Sequence, residues 1–263
     1  MNFIIPLLVL GILGLLLGIG LAIASKKFAV KTDPRVDIIL GMLPGANCGA
    51  CGFAGCLGYA RAIVEAGVKP SLCTVGGDES AKKIAELLGV KITSLQKMVA
   101  RIHCGGDISE KRQRGNYDGV KTCLSATLVS GGTVMCSYGC LGFSDCVRAC
   151  PFDAIKLREN FPPEIDEEKC TACGLCVKAC PRNLIELTPL EKRFLIACSS
   201  RDKGKITRQV CDVGCIACGL CVKKCPEKAV SLENNLARID CTKCKNLGEC
   251  FKVCPTKCIQ WKR

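Results

Sequence analysis

Cysteine is the residue type whose number and spacing in this chain could do chemistry. Two tight sets stand out: Cys170-x2-Cys173-x2-Cys176-x3-Cys180-Pro181, and its near copy Cys215-x2-Cys218-x2-Cys221-x3-Cys225-Pro226. Two looser versions accompany them: Cys136-x3-Cys140-x5-Cys146-x3-Cys150-Pro151, and Cys241-x2-Cys244-x5-Cys250-x3-Cys254-Pro255. Three cysteines at i, i+3 and i+6 wrap a loop around one side of an iron–sulfur cubane. The fourth opens a short helix leading away, and the proline after it fits the first helical turn, where an N–H would be unpaired anyway. The pattern predicts thiolate ligation of [4Fe–4S] clusters, with the fourth cysteine serving the neighbouring cluster. The spacing therefore groups Cys136, Cys140 and Cys146 with Cys180, and Cys170, Cys173 and Cys176 with Cys150. It likewise groups Cys215, Cys218 and Cys221 with Cys254, and Cys241, Cys244 and Cys250 with Cys225.

A fifth set, Cys48-x2-Cys51-x4-Cys56-x16-Cys73, lies in and after the string LPGANCGACGFAGC. Its glycines, Gly45, Gly49, Gly52 and Gly55, permit tight turns that bring backbone N–H groups toward cluster sulfurs. Five clusters are thus expected. Cys104, Cys123, Cys198 and Cys211 flank the first tandem motif, two before and two after. They could hold a sixth cluster, or be buried free thiols or a disulfide. Cys258 reads as a small core residue.

Structural zinc is the competing use of C-x2-C pairs. Zinc has no use for a third cysteine at i+6 or for the x3-Cys-Pro ending. A Rieske centre needs two histidines; the chain has only His103, which reads as incidental. No nucleophile–base constellation, nicotinamide fingerprint or phosphate loop is evident, and the Gly105-Gly106 pair is too weak to count as one. No covalent catalysis and no flavin or NAD site are expected on this chain; the cofactors carry the chemistry.

Composition agrees. Cysteine supplies 25 of 263 residues, a density that points to disulfide staples or to metal. Aromatic residues are only 5%, so a conventional core is short of material and clusters can serve as staples. The formal charge of +13 suggests nucleic acid or an anionic surface. A [4Fe–4S] core with four thiolates carries about −2, so five would bring the total near +3. The basic excess is then mostly compensation, and nucleic acid is not an expected partner.

The elements that must position these ligands follow in chain order. Phe3 to Ala24 is apolar without a charge, and at about 1.5 Å per residue it is long enough to cross a bilayer. Lys26, Lys27, Lys31 and Arg35 follow, so the remainder is expected on the cytoplasmic side of a single-pass prokaryotic cell (inner) membrane protein. A cleaved signal peptide ending near Ala22-Ile23-Ala24 is the alternative; it lacks a basic leader and its apolar run is long. Gly11, Gly14, Gly18, Ala22 and Ser25 form a stripe of small residues, which either admits a partner helix or reflects ordinary membrane-helix composition.

The expected fold class is α+β. Residues 1–25 form a transmembrane anchor and 26–35 a basic linker. Residues 36–99 form a small helical [4Fe–4S] domain with helices over Leu57–Ala66 and Glu79–Leu88, the latter started by Asp78. Residues 100–134 are an irregular cysteine-containing segment. Two tandem ferredoxin-like units occupy 135–188 and 213–263, joined by a bridge over 189–212. Short strands are expected after each Cys-Pro, at Ala154–Leu157, Leu184–Leu187, Ala229–Leu232 and Cys258–Trp261.

The order of these features resembles a known family. The apolar anchor, LPGANCGACGFAGC with Cys73, CSYGCLGFSDCVRACPFDAI, and two further ferredoxin motifs resemble the RnfB-type subunit of the Rnf complex over almost the whole chain. The first motif alone is also shared by corrinoid iron–sulfur proteins. The resemblance implies an ion-translocating ferredoxin:NAD+ oxidoreductase of prokaryotic membranes. In it this subunit accepts electrons from reduced ferredoxin and passes them to membrane partners, while other subunits hold flavins and the NAD site. Two alternatives remain: a polyferredoxin subunit of another membrane oxidoreductase such as a hydrogenase, and a zinc-stabilised interaction protein of the membrane face.

Overall fold

The computed structural model describes residues 4–28, 33–92, 96–107, 109–159 and 161–262. Phe3 at the head of the expected anchor, and Lys31 in its basic flank, lie outside the described residues. Helix α1 (Ile4–Lys27) is apolar along its length until Lys26 and Lys27. Its mean hydropathy over Leu7–Lys27 is high, 2.8, and none of that span is buried against protein. A helix that is apolar all round and unburied belongs in lipid. The space around Gly11, Gly14 and Gly18 is open.

Helix α2 (Pro34–Met42) starts inside the expected linker. Asp33 caps it by accepting the Arg35 N–H at 2.9 Å, and Pro34 takes the first helical position. Helices α3 (Gly55–Ala66) and α4 (Gly77–Leu88) follow. Asp78 is not the cap of α4; it sits in the first turn, where it favours the helix dipole and pairs with Lys82. Val36 and Ile39 of α2 pack with Tyr59 and Ile63 of α3 and Ile84 of α4, and Cys73 joins this core. The Tyr59 hydroxyl donates to the Lys69 carbonyl at 2.8 Å and accepts the Leu72 N–H at 3.1 Å. It thereby fixes the turn that presents Cys73.

The remaining chain forms two units of similar layout. In the first, strand β1 (Met98–Ile102) precedes helices α5 (Cys123–Leu128) and α6 (Asp145–Arg148). Strands β2 (Ile155–Arg158) and β3 (Phe161–Ile165), helix α7 (Leu175–Ala179) and strand β4 (Ile185–Pro189) complete it. The second has β5 (Phe194–Ile196), α8 (Gly204–Val210), α9 (Leu220–Lys224), β6 (Val230–Glu233), β7 (Leu236–Ile239), α10 (Glu249–Lys252) and β8 (Ile259–Trp261). The strands expected after each Cys-Pro form within a residue or two of their expected positions. β2–β3 and β6–β7 are antiparallel hairpins.

The other two pairs come from outside the expected unit limits. β1 pairs antiparallel with β4, Ala100 opposite Leu187, and β5 pairs with β8, Leu195 opposite Gln260. The boundary drawn at 99/100 therefore cuts a strand, and part of the bridge over 189–212 is the first strand of the second unit. The physical reason is that β4 and β8, short terminal strands, would otherwise expose an unpaired edge. The expected irregular segment is also tied down: Lys111 bridges Cys211, and Gln113 bridges Val134. The apolar cores are built around the cysteines themselves, Ala100, Ile155 and Ile185 with Cys176, and Ile196, Val230 and Ile259 with Cys198, Cys215, Cys221 and Cys250.

Candidate metal centres

The same backbone device recurs in all four cysteine loops of the two units. Two residues before the third cysteine, and four before it, the chain enters the left-handed region. These are Gly142 and Ser144 before Cys146, Ala172 and Gly174 before Cys176, Ala217 and Gly219 before Cys221, and Asn246 and Gly248 before Cys250. Left-handed turns of this kind aim successive N–H groups into one concavity, which suits an anionic body. Further backbone donors point at sulfur: Leu184 to Cys180 at 3.4 Å, Ala229 to Cys225 at 3.3 Å, and Ala100 of β1 to Cys170 at 3.4 Å.

Three of the spacing-based groups in the two units stand together in space. Cys176 feels the thiolates of Cys170, Cys173 and Cys150. One cavity is lined by Cys215, Cys218, Cys221 and Cys254. A second is lined by Cys225, Cys244 and Cys250, with Cys241 electrostatically coupled to Cys244. In the helical domain, Cys73 feels Cys56, Cys51 and Cys48, and accepts the Gly76 N–H at 3.3 Å. Asn47, a residue the spacing does not single out, holds this loop: its Oδ1 accepts the Cys56 N–H at 2.8 Å and its Nδ2 donates to the Gly45 carbonyl.

The fourth group differs from the spacing. Cys136 does not join Cys140, Cys146 and Cys180. Their cavity is completed by Cys123, and Cys146 feels Cys140, Cys123 and Cys180. Thr122 caps α5 by accepting the Ser125 N–H at 3.1 Å, and Asp145 accepts the Leu124 N–H at 3.1 Å. The two contacts swing Cys123 toward α6. Cys136 instead meets Cys104, Cys198 and Cys211: Cys136 feels Cys104 and Cys198, and Cys211 feels Cys104, Cys136 and Cys198. A sixth quartet exists, and the spacing put Cys123 in it where Cys136 stands. Counting back from the third cysteine gives the reason. Cys140 and Cys244 occupy the place of Cys170, and Phe143 and Leu247 occupy that of Cys173. The missing ligand must come from upstream. Cys241, three residues before Cys244, is in register for it; Cys136, four residues before Cys140, is not.

The sixth quartet depends on close packing. Gly105 donates its N–H to the Ala197 carbonyl at 2.9 Å, and a Cβ there would lie 2.9 Å from the Ala197 Cβ. Arg182 donates to the Cys136 and Gly139 carbonyls at 2.8 and 2.7 Å, and Lys111 donates to the Cys140 carbonyl at 3.1 Å. His103 is not incidental to the packing: its Nδ1 lies 2.9 Å from the Ile196 carbonyl, and its Nε2 lies 3.3 Å from Glu186.

Burial pushes the Cys140 and Cys146 thiols up to about 12, and Cys176, Cys211 and Cys221 to about 11. These are sites at which a bound cation must displace protons. Two thiols go the other way. A hydrogen bond from Cys258 pulls Cys198 down to about 7 and Cys215 to about 6. Among the described residues, no three His, Cys, Asp or Glu side chains converge on a point that could hold a single metal ion. Mononuclear zinc requires four ligands within about 2.3 Å of one ion. Wider quartets of thiols ringed by N–H donors fit a cluster with its own sulfide corners, and these residues would hold one.

The quartets form an unbroken succession. Cys48 is coupled to Cys173. Cys146 is coupled to Cys176. The Cys140 N–H donates to Cys104. The Cys215 N–H donates to Cys198. Cys225 reaches across to Cys250, and Cys254 to Cys221.

Comparison with known proteins agrees with this chemistry. Residues 43–75 match the family described as "Putative Fe-S cluster", and residues 163–186 match "4Fe-4S binding domain". The chain is similar to the RnfB subunit of the Na(+)-translocating ferredoxin:NAD(+) oxidoreductase complex of Acetobacterium woodii, 46% identical over 97% of this chain and 77% of that protein. It is similar to the RnfB subunit of the proton-translocating ferredoxin:NAD(+) oxidoreductase complex of Clostridium ljungdahlii, 42% identical over 99% and 93%. It is also similar to the RnfB subunit of the ion-translocating oxidoreductase complex of Methanosarcina acetivorans, 41% identical over 96% of each chain. Identity at this level along nearly the full length, with thiol quartets placed to hold iron–sulfur clusters, places the chain in the RnfB family of ion-translocating oxidoreductase complexes, of which it is an iron–sulfur electron-transfer subunit.

Proposed function

We infer that the chain is the iron–sulfur relay of a ferredoxin:NAD+ oxidoreductase, with reduced ferredoxin as electron donor. Its two cysteine units are tandem ferredoxin-like modules, and it carries six [4Fe–4S] centres. The ligand sets are Cys48, Cys51, Cys56 and Cys73; Cys150, Cys170, Cys173 and Cys176; Cys123, Cys140, Cys146 and Cys180; Cys104, Cys136, Cys198 and Cys211; Cys215, Cys218, Cys221 and Cys254; and Cys225, Cys241, Cys244 and Cys250. Each cluster, when bound, takes up and releases one electron at a potential set by hydrogen bonds to sulfur and by burial. The observation that carries this reading is the unbroken succession of thiol quartets, in which every neighbouring pair is joined by a hydrogen bond, a direct coupling or an exchanged ligand.

In this arrangement the chain's own residues do three things. The cysteines fix the order of the centres. The left-handed loops and backbone donors set how strongly each site favours the reduced, more negative state. Arg182, Lys111 and Lys192 hold the loops through backbone carbonyls, Lys192 donating to Cys244 at 2.6 Å. Electrons enter at the module farthest along the chain, which docks ferredoxin. They leave from the Cys48–Cys73 centre, which α1 tethers beside the membrane partners. Lys26 and Lys27 place the modules on the cytoplasmic side. Flavin and nicotinamide chemistry belongs to other subunits.

The test is Cys48→Ala in the assembled complex. Electron transfer from ferredoxin to the membrane partners stops, while ferredoxin still reduces the remaining centres. Loss of that initial reduction would overturn the direction proposed.

A further inference from the structure

Cys258 is the one cysteine outside the six quartets. It is only 3% exposed and belongs to the same packed core as Cys198 and Cys215. It lines the cavity of the Cys215, Cys218, Cys221 and Cys254 quartet, and its side chain is hydrogen-bonded to both Cys198 and Cys215. Those two residues belong to different quartets. The backbone holds Cys258 in this position: its carbonyl accepts the Ala197 N–H at 2.8 Å, continuing the β5–β8 ladder. Cys198 already accepts N–H groups from Ser200, at 3.4 Å, and from Cys215. Cys215 accepts them from Ala217 and Ala237. A thiol between two such sulfurs has one proton to share and no ligand role left to fill.

We propose that Cys258 is a positioning residue that donates its S–H between the Cys198 and Cys215 thiolates, raising the potentials of both centres and forming the contact through which an electron crosses from one module to the next. A donor to a ligand sulfur stabilises the added negative charge of the reduced state, so the potential rises. Sharing one proton between two sites also favours the extra electron on either, which suits a crossing point. The step balances without chemistry at Cys258: one electron leaves the centre on one side and arrives at the other. The S–H bond stays intact, and Cys258 is neither oxidised nor reduced.

The proposal rests on the six-centre reading, and the experiment separates the two. Full-length protein is purified anaerobically, iron and sulfide are counted, and each centre is titrated potentiometrically with electron paramagnetic resonance. Cys258→Ala, and Cys258→Val, which fills the volume without a donor, shift two midpoint potentials downward and leave the other four unchanged. Cys258→Ser, which keeps a donor, restores both. Unchanged potentials in the Ala and Val proteins at full iron content overturn the proposal. So does a shift that Ser does not rescue, which would mark a packing effect. A wild-type content of about 20 rather than about 24 irons per chain would instead remove the Cys198 centre and the six-centre reading. A downward shift of the single Cys215 centre would then still support the donor role, and no shift would overturn it.

Discussion

The main-chain N–H of Cys140 donates to the sulfur of Cys104 at 3.4 Å. One residue belongs to the quartet between α5, α6 and the Cys180 turn, and the other to the quartet that reaches into the second unit. The contact joins two centres that the chain's spacing does not connect. It follows from the position of Cys104, which ends the segment leaving β1 and is locked to the second unit by Gly105.

Cys123→Ala and Cys136→Ala distinguish the two quartets. Each protein loses one cluster, about four irons per chain. The Cys123 variant loses the centre shared by Cys140, Cys146 and Cys180, and the Cys136 variant loses the one shared by Cys104, Cys198 and Cys211. Iron counting with electron paramagnetic resonance checks this. A Cys123→Ala protein that keeps all its iron contradicts the assignment.

Gly105→Ala tests the packing that closes the sixth quartet. The added Cβ would lie 2.9 Å from the Ala197 Cβ and 2.5 Å from Gln260 Nε2. Gln260 can move, whereas Ala197 is set by its strand, so the Cys104 segment must retreat. The expected cost is about 1–3 kcal/mol, as for other overpacking changes. The Cys104–Cys198 centre is lost before the others. Thermal unfolding and iron content of the anaerobic protein measure both effects.

Arg101→Ala tests the anchoring of β1. The Arg101 side chain is 2% exposed, lies 3.2 Å from Glu167, and donates to the Leu190 and Lys192 carbonyls. Removing it strands Glu167, which is 18% exposed, and frees the β4–β5 connection. Breaking a buried pair in this way costs about 3–5 kcal/mol. Arg101→Lys does not restore it, because a lysine cannot reproduce the guanidinium fork. Melting curves of the three proteins at equal iron content give the comparison, and near-equal midpoints would contradict it.

Much of this architecture is legible in the sequence because its signals are local. The x3-Cys-Pro turns announce their own helices and strands, the run from Phe3 announces α1, and the tight motifs gather their ligands within a few residues. What is not legible is long-range. β1 and β5 find partners at β4 and β8, far along the chain, and short apolar runs do not say which edge they cover. Cys123 and Cys136 exchange places because Cys136 lies one residue out of register with Cys241, a difference that matters only once the loop is closed. Asn47, Asp145 and Arg182 work through backbone groups, and their side chains carry no motif. Cys258 looks like an ordinary core residue until Cys198 and Cys215 meet around it.

Iron anomalous scattering from crystals of the anaerobically purified full-length protein tests the central claim most directly. The account predicts six compact iron sites, each inside one of the six thiol quartets, with Cys123 on the Cys140 centre and Cys136 on the Cys198 centre. Five sites with Cys136 on the Cys140 centre, or single ions in place of clusters, would contradict it.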